Sequence, residues 1–108
     1  MRCEMAVTLD VTADDLPERV ELAAYFIVSE SLTNAAKYAG ASKVGIRVAH
    51  EGAALFVEIA DDGCGGADPA VGTGLRGLAD RIDALDGELD VSSPPGAGTR
   101  VTARLPLR

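Results

Sequence analysis

The segment DDGCGGADPAVGTG, residues 61–74, crowds glycines around a proline in the middle of the chain. Glycine loses the most backbone freedom on ordering and proline has no N–H to donate, so no regular element survives that composition. The chain is thereby split into two groups of elements that must meet across a loop. Before it, MAVTLDV alternates apolar and polar positions and predicts a half-buried strand over residues 5–11. TADDLPERVELAAYFIVSESLTNAAKYAG predicts a long helix, with Asp14 or Asp15 as its cap, Pro17 in the first turn and Gly40 at its stop. Its arc of Ala24, Val28, Leu32, Ala35 and Ala39 is expected to pack on a sheet. KVGIRVAH and AALFVEIAD predict a hairpin turning at His50, Glu51 and Gly52.

Beyond the loop, LRGLADRIDALDG places Leu75, Leu78, Ile82 and Leu85 on one face, predicting a second helix stopped by Gly87. ELDVSS and TRVTARLPL predict two closing strands, joined by the PPGAG turn at residues 94–98. This order predicts an α+β fold, with helices on one face of a largely antiparallel sheet. A length of 108 residues suits one domain over 1–108 and is too short for two.

A net charge of −7 argues against nucleic acid, because no basic stripe is present to displace counterions from a phosphate backbone. An acidic chain can still take one phosphorylated ligand through oriented N–H groups, a local cation or a divalent metal. No apolar run approaches a membrane span, and MRCEMAVTLD lacks the apolar core of a signal peptide. Cys3 and Cys64 form no CxxC pair, which suits a reducing cytoplasm.

Within ESLTNAAKYAGAS, residues 30–42, Glu30, Asn34 and Lys37 fall on one narrow helical stripe. A carboxamide oxygen can serve Mg²⁺, and an ammonium can serve a phosphate. The same stripe also suits an ordinary solvated helix face, and the spacing leaves both readings open. DDGCGG puts a carboxylate before Gly63 and Gly65 at a strand end, as an acceptor beside a flat ligand or as a plain surface turn. GTGLRG, residues 72–77, fits the dinucleotide fingerprint G-x-G-x-x-G, and Asp90 falls at about the expected distance. No strand precedes it, so that assignment fails, leaving a glycine-rich segment that opens a helix and can face an anion.

Taken together, ESLTNAAKYAGAS, DDGCGG and GTGLRGLADRI resemble, in order, the N box and two glycine boxes of histidine-kinase ATP-binding domains. GAGTRVTARLPL is similar to their closing strands. The form GLRGLADR looks most like the kinases that partner helix-turn-helix response regulators. The resemblance implies a two-layer α/β sandwich, a mixed sheet covered on one face by helices, that holds ATP. It further implies that Asn34 binds Mg²⁺, that Lys37 helps hold the phosphates, and that Glu30 acts on the attacking group as base or orienter. Asp61 would accept from the adenine amino group, with Gly63 and Gly65 making room for the base. Gly72, Gly74 and Leu75 would form the lid hinge and the phosphate-facing end of the second helix, and Thr99 the adenine-side network.

The implied partner is a separate dimerisation and phosphoacceptor domain, and through it a response regulator; the isolated domain is expected to be monomeric. No acceptor hairpin is visible in these residues, and the only histidine, His50, reads as a turn residue. Tyr38 reads as a core or pocket-rim tyrosine and Cys64 as an inert small residue. A serine kinase of the anti-sigma-factor type and a non-catalytic interaction domain are the competing functions.

Overall fold

The computed structural model describes residues 6–11, 16–37, 42–63 and 73–107. Strand β1 (Ala6–Val11) is followed by helix α1 (Glu18–Lys37) and by strands β2 (Lys43–Glu51) and β3 (Ala54–Asp61). Helix α2 (Thr73–Ala84) then leads to β4 (Glu88–Ser92) and β5 (Thr99–Pro106). The five strands form one sheet in the order β1-β2-β3-β5-β4. Only the β1–β2 pair is parallel; the other three pairs are antiparallel, so the sheet is mixed. β2 and β3 meet in the expected hairpin, but its turn is Gly52 and Ala53: His50, expected in the turn, stays in β2 opposite Leu55, and Glu51 pairs with Ala54.

The sheet has one dry and one wet face, as the strand period requires. Val44, Ile46 and Val48 of β2, Leu55, Val57 and Ile59 of β3, and Val101, Ala103 and Leu105 of β5 are all buried. Between them, residues such as Arg47, Arg100 and Arg104 stand exposed on the other face. There Arg100 pairs with Glu58 and Arg104 with Glu51. Pairs this exposed contribute little to stability, on the order of 1 kcal/mol or less each.

Both helices cover the dry face. Leu78 and Ile82 of α2 are fully buried, each worth roughly 1.5–3 kcal/mol of burial. Arg81 lies over the Phe26 ring of α1, 3.9 Å from its centroid, and ties the helices together at the surface. The carbonyl of Pro17 accepts from Val20 and Glu21 at 3.0 and 2.9 Å, so Pro17 stands just ahead of the first helical residue. The expected caps Asp14 and Asp15 and the stop at Gly40 lie outside the described residues.

Two further expectations are corrected. The buried row of α1 is Val20, Ala23, Ala24, Ile27 and Ser31, so Ala24 of the expected arc lies in the row. Val28 and Leu32 pack half-buried against the core at its side, and the side-chain surroundings of Ala35 and Ala39 are outside the described residues. At 100° per residue, the dry face is rotated about 80° from the arc centred on Val28. Phe26 and Val28, partly buried on either side, show that hydrophobic residues outnumber the places against the sheet. The α2 stop also differs. Gly87 N–H donates to Ile82 O at 2.9 Å and Asp86 N–H to Asp83 O at 3.0 Å, the bond pair of a Schellman motif. Its left-handed residue is Asp86, at φ 58°, rather than Gly87. Gly87 is needed for proximity instead: a Cβ there would lie 2.9 Å from both Arg104 O and Ile82 Cγ2.

Candidate functional site

The dry face turns polar at one end. β3 runs Leu55, Val57, Ile59 and then Asp61; β5 runs Leu105, Ala103, Val101 and then Thr99. Asp61 and Thr99 are cross-strand partners, and Val44 of β2 pairs with Asp61 on its other side. Period-2 alternation carries both polar residues toward the helices. Each is half-buried where its row would otherwise continue apolar.

Helix α1 brings its C-terminal half over this end. β1 runs parallel to β2 from Lys43 to Val48, so the chain leaves β1 at the far end of the sheet. It returns through α1 and reaches Ser42 beside Asp62. Glu30 and Asn34 therefore lie in the half of the helix nearest Asp61 and Thr99, and both are half-buried. With the buried row placed as observed, their stripe borders it at about 100° per residue instead of standing opposite. The exposed arc of α1 instead carries Leu22, Tyr25, Ser29 and Thr33. A plain solvated face does not describe Glu30 and Asn34.

Backbone geometry at Asp61 is tightly set. Its Oδ1 accepts from Gly63 N–H at 2.8 Å, an Asx turn that starts the glycine box. Gly98, at φ 79°, presses against the same residue: a Cβ on it would lie 2.2 Å from Asp61 O. Only a residue without a side chain tolerates both that φ and that approach. The Thr99 and Ser93 hydroxyls share a hydrogen bond of 2.6 Å, which orients Thr99 from the β4 side.

The second aspartate of the box does different work. Asp62 Oδ1 accepts from Ser42 N–H and Lys43 N–H at 2.8 and 2.9 Å, and Oδ2 from the Ser42 hydroxyl at 2.6 Å. Asp62 N–H donates back to Lys43 O at 3.3 Å. The Ser42 hydroxyl, then the two backbone N–H groups, favour the carboxylate and lower its pKa from 3.8 to about 2. This clasp joins the start of β2, which follows α1, to the loop leaving β3.

The structure thus brings Asp61, Gly63 and Thr99 together under the helix half that carries Glu30 and Asn34. Lys37 closes α1, and Gly74 and Leu75 lie in the first turn of α2, but their side-chain surroundings are outside the described residues, as are Gly65, Gly72, Tyr38 and Cys64. Sequence reasoning missed Ser42, Asp62, Ser93 and the contact role of Gly98. The Asp-Asp doublet and the second glycine of PPGAG were the available signals.

The family model described as histidine kinase-, DNA gyrase B-, and HSP90-like ATPase matches residues 19–108. This chain belongs to that family. The signal transduction histidine-protein kinase/phosphatase DegS of Brevibacillus brevis is 33% identical over 94 residues, 84% of this chain and 24% of DegS. The sensor histidine kinase YxjM of Bacillus subtilis is 30% identical over 109 aligned residues, 98% of this chain and 27% of YxjM. The chain therefore spans about a quarter of the length of these relatives. Among solved structures, the histidine kinase domain of the Erythrobacter litoralis EL346 blue-light activated histidine kinase superposes with a TM-score of 0.85 at 29% identity. That match covers 98% of this chain and 53% of the solved one. The Acinetobacter baumannii histidine kinase AdeS shares the fold, at TM-score 0.77 and 22% identity over 98% of this chain and 56% of its own. The domain is accordingly a two-layer α/β sandwich of an ATPase family. No helix among the described residues is long and apolar enough to cross a membrane.

Proposed function

We propose that residues 1–108 form one catalytic domain that binds Mg-ATP and supplies its γ-phosphoryl group to a histidine on a separate dimerisation and phosphoacceptor domain. The observation that carries this reading is the polar end of the dry face: Asp61 and Thr99 in register beneath the half of α1 that carries Glu30 and Asn34. Asp61, fixed by the Gly63 N–H and by Gly98, offers an acceptor to an adenine amino group. Thr99, held by Ser93, completes that side. Glu30 orients or deprotonates the attacking imidazole nitrogen. As that nitrogen bonds to the γ-phosphorus, the bond to the β–γ bridging oxygen breaks and ADP leaves. Such a transfer asks the protein mainly for positioning and charge stabilisation.

The donor set fits a magnesium ion held largely by the nucleotide. Among the described residues no group of three His, Cys, Asp or Glu stands together as a metal cluster. Asn34 would contribute one oxygen, with phosphates and water supplying the rest. The ion, when bound, offsets phosphate charge, and Lys37 adds a cation from the end of α1. Gly72, Gly74 and Leu75 serve the lid and phosphate side, and Gly65 the base side. The acceptor domain would belong to the parent protein, whose kinase region would work in the cytoplasm, and a response regulator would be the indirect partner.

Calorimetric titration with a non-hydrolysable ATP analogue, with and without Mg²⁺, tests the reading. Binding is expected, stronger with the metal, and Asn34→Ala is expected to remove the metal dependence. No binding at millimolar nucleotide would refute the reading.

A further inference from the structure

We propose that Ser31 is a further nucleotide-binding residue, its hydroxyl bonding the purine ring, directly or through one ordered water, from the floor of the site. The inference rests on the reading of this site as a nucleotide pocket. Ser31 is 4% exposed, and among the described residues its Oγ is the buried side-chain oxygen with no hydrogen-bond partner. A helical serine usually escapes that state by donating to the carbonyl four residues back. Thr33 does so on the same helix, reaching Ser29 O at 3.0 Å, whereas Ser31 makes no such bond. A buried hydroxyl left unpaired loses its bonds to water and gains nothing in return.

Its position says what the missing partner is. Ser31 ends the row Val20, Ala23, Ala24 and Ile27, the α1 counterpart of the β3 row that ends at Asp61 and the β5 row that ends at Thr99. All three rows turn polar at the same end of the sandwich. An alanine would continue the α1 row without an orphaned oxygen, so packing alone does not call for serine. One neighbour is Glu30 and the residue three further on is Asn34, so the hydroxyl lies on the sheet side of the proposed phosphate stripe. At that depth the group within reach is the base. A hydroxyl can donate to a ring nitrogen while Asp61 accepts from an exocyclic amino group, and together they match a purine edge that presents donor and acceptor side by side.

Ser31→Ala and the near-isosteric Ser31→Cys test this on the whole chain, by calorimetric titration with ADP and with a non-hydrolysable ATP analogue, and by thermal melting without nucleotide. Both variants are expected to weaken both nucleotides by the same factor, about three- to tenfold for one hydrogen bond. Ser31→Ala is expected to raise the nucleotide-free melting temperature, because it removes an unsatisfied buried oxygen. Opposite signs in the two assays are what a merely structural serine cannot produce. Affinities within twofold of the parent chain, or a nucleotide-free melting temperature that falls in Ser31→Ala, would overturn the proposal while leaving the nucleotide site intact. Failure of the parent chain itself to bind would remove the site and the proposal together.

Discussion

Replacing Gly98 by alanine adds one methyl group in the most crowded place near the candidate site. That Cβ would stand 2.2 Å from the carbonyl oxygen of Asp61 and 3.3 Å from its carbonyl carbon, while the residue holds φ at 79°. The left-handed backbone costs an L-residue roughly 1–2 kcal/mol. Overpacking against a backbone that cannot rotate away adds about 1–3 kcal/mol. Gly98→Ala should therefore lose roughly 2–5 kcal/mol, a large share of the ~5–15 kcal/mol that holds a typical domain. Gly96 provides the control, since it has the same φ of 79° and nothing within 4 Å of its added Cβ. Gly96→Ala carries the dihedral cost alone, and the unfolded-state entropy gained by losing a glycine is common to both variants. Urea denaturation followed by far-ultraviolet circular dichroism measures both. A difference of about 2 kcal/mol separates the midpoints by about 0.7–2 M at the slopes usual for small domains. Relief of the clash must also move Asp61, so nucleotide affinity should fall in Gly98→Ala and survive in Gly96→Ala. Equal destabilisation by the two substitutions would refute the close approach.

Asp86→Gly removes an aspartate from φ 58° at the end of α2 and should stabilise the chain by about 0.5–1 kcal/mol, read as a higher urea midpoint; an unchanged or lower midpoint contradicts the left-handed cap. Asp62 is a carboxylate whose pKa is lowered from 3.8 to about 2 by its bonds to Ser42 and Lys43. Its stabilising contribution is therefore complete above about pH 4 and fades as pH falls through 2. Asp62→Asn should melt earlier than the parent chain at pH 6, and the gap should close toward pH 2; a gap independent of pH would show that the clasp does not depend on charge.

Most of the fold was legible because its signals are local. Strand alternation, the Gly52 turn and the apolar face of α2 depend on residues a few positions apart. The rotation of α1 was not, because Phe26, Val28 and Leu32 widen its apolar arc and only the sheet decides which part is covered. The parallel β1–β2 pairing and the order β3-β5-β4 are likewise products of long-range closure. At the candidate site, the Glu30–Asn34 spacing and the carboxylate before glycines could be read directly. The division of labour between Asp61 and Asp62 could not. Adjacent residues at a strand end diverge, and only the register with Thr99 and the bonds from Ser42 show which one follows the dry row of β3 and which is tied to the start of β2. Gly98 was hidden for the same reason, since its neighbour Asp61 lies on another strand.

The Asp62 clasp also bears on the order in which the sheet can assemble. With the Gly52 turn closing one end of the β2–β3 hairpin and Asp62 the other, this pair forms across at most a twenty-residue separation. Joining β5 to β3 must close a loop that contains the glycine-rich segment and α2. Closure entropy grows only logarithmically with length, about 0.6 kcal/mol per doubling. Once the hairpin is locked, a change in the length of the glycine-rich segment therefore adds little to the cost of closing β5 onto β3.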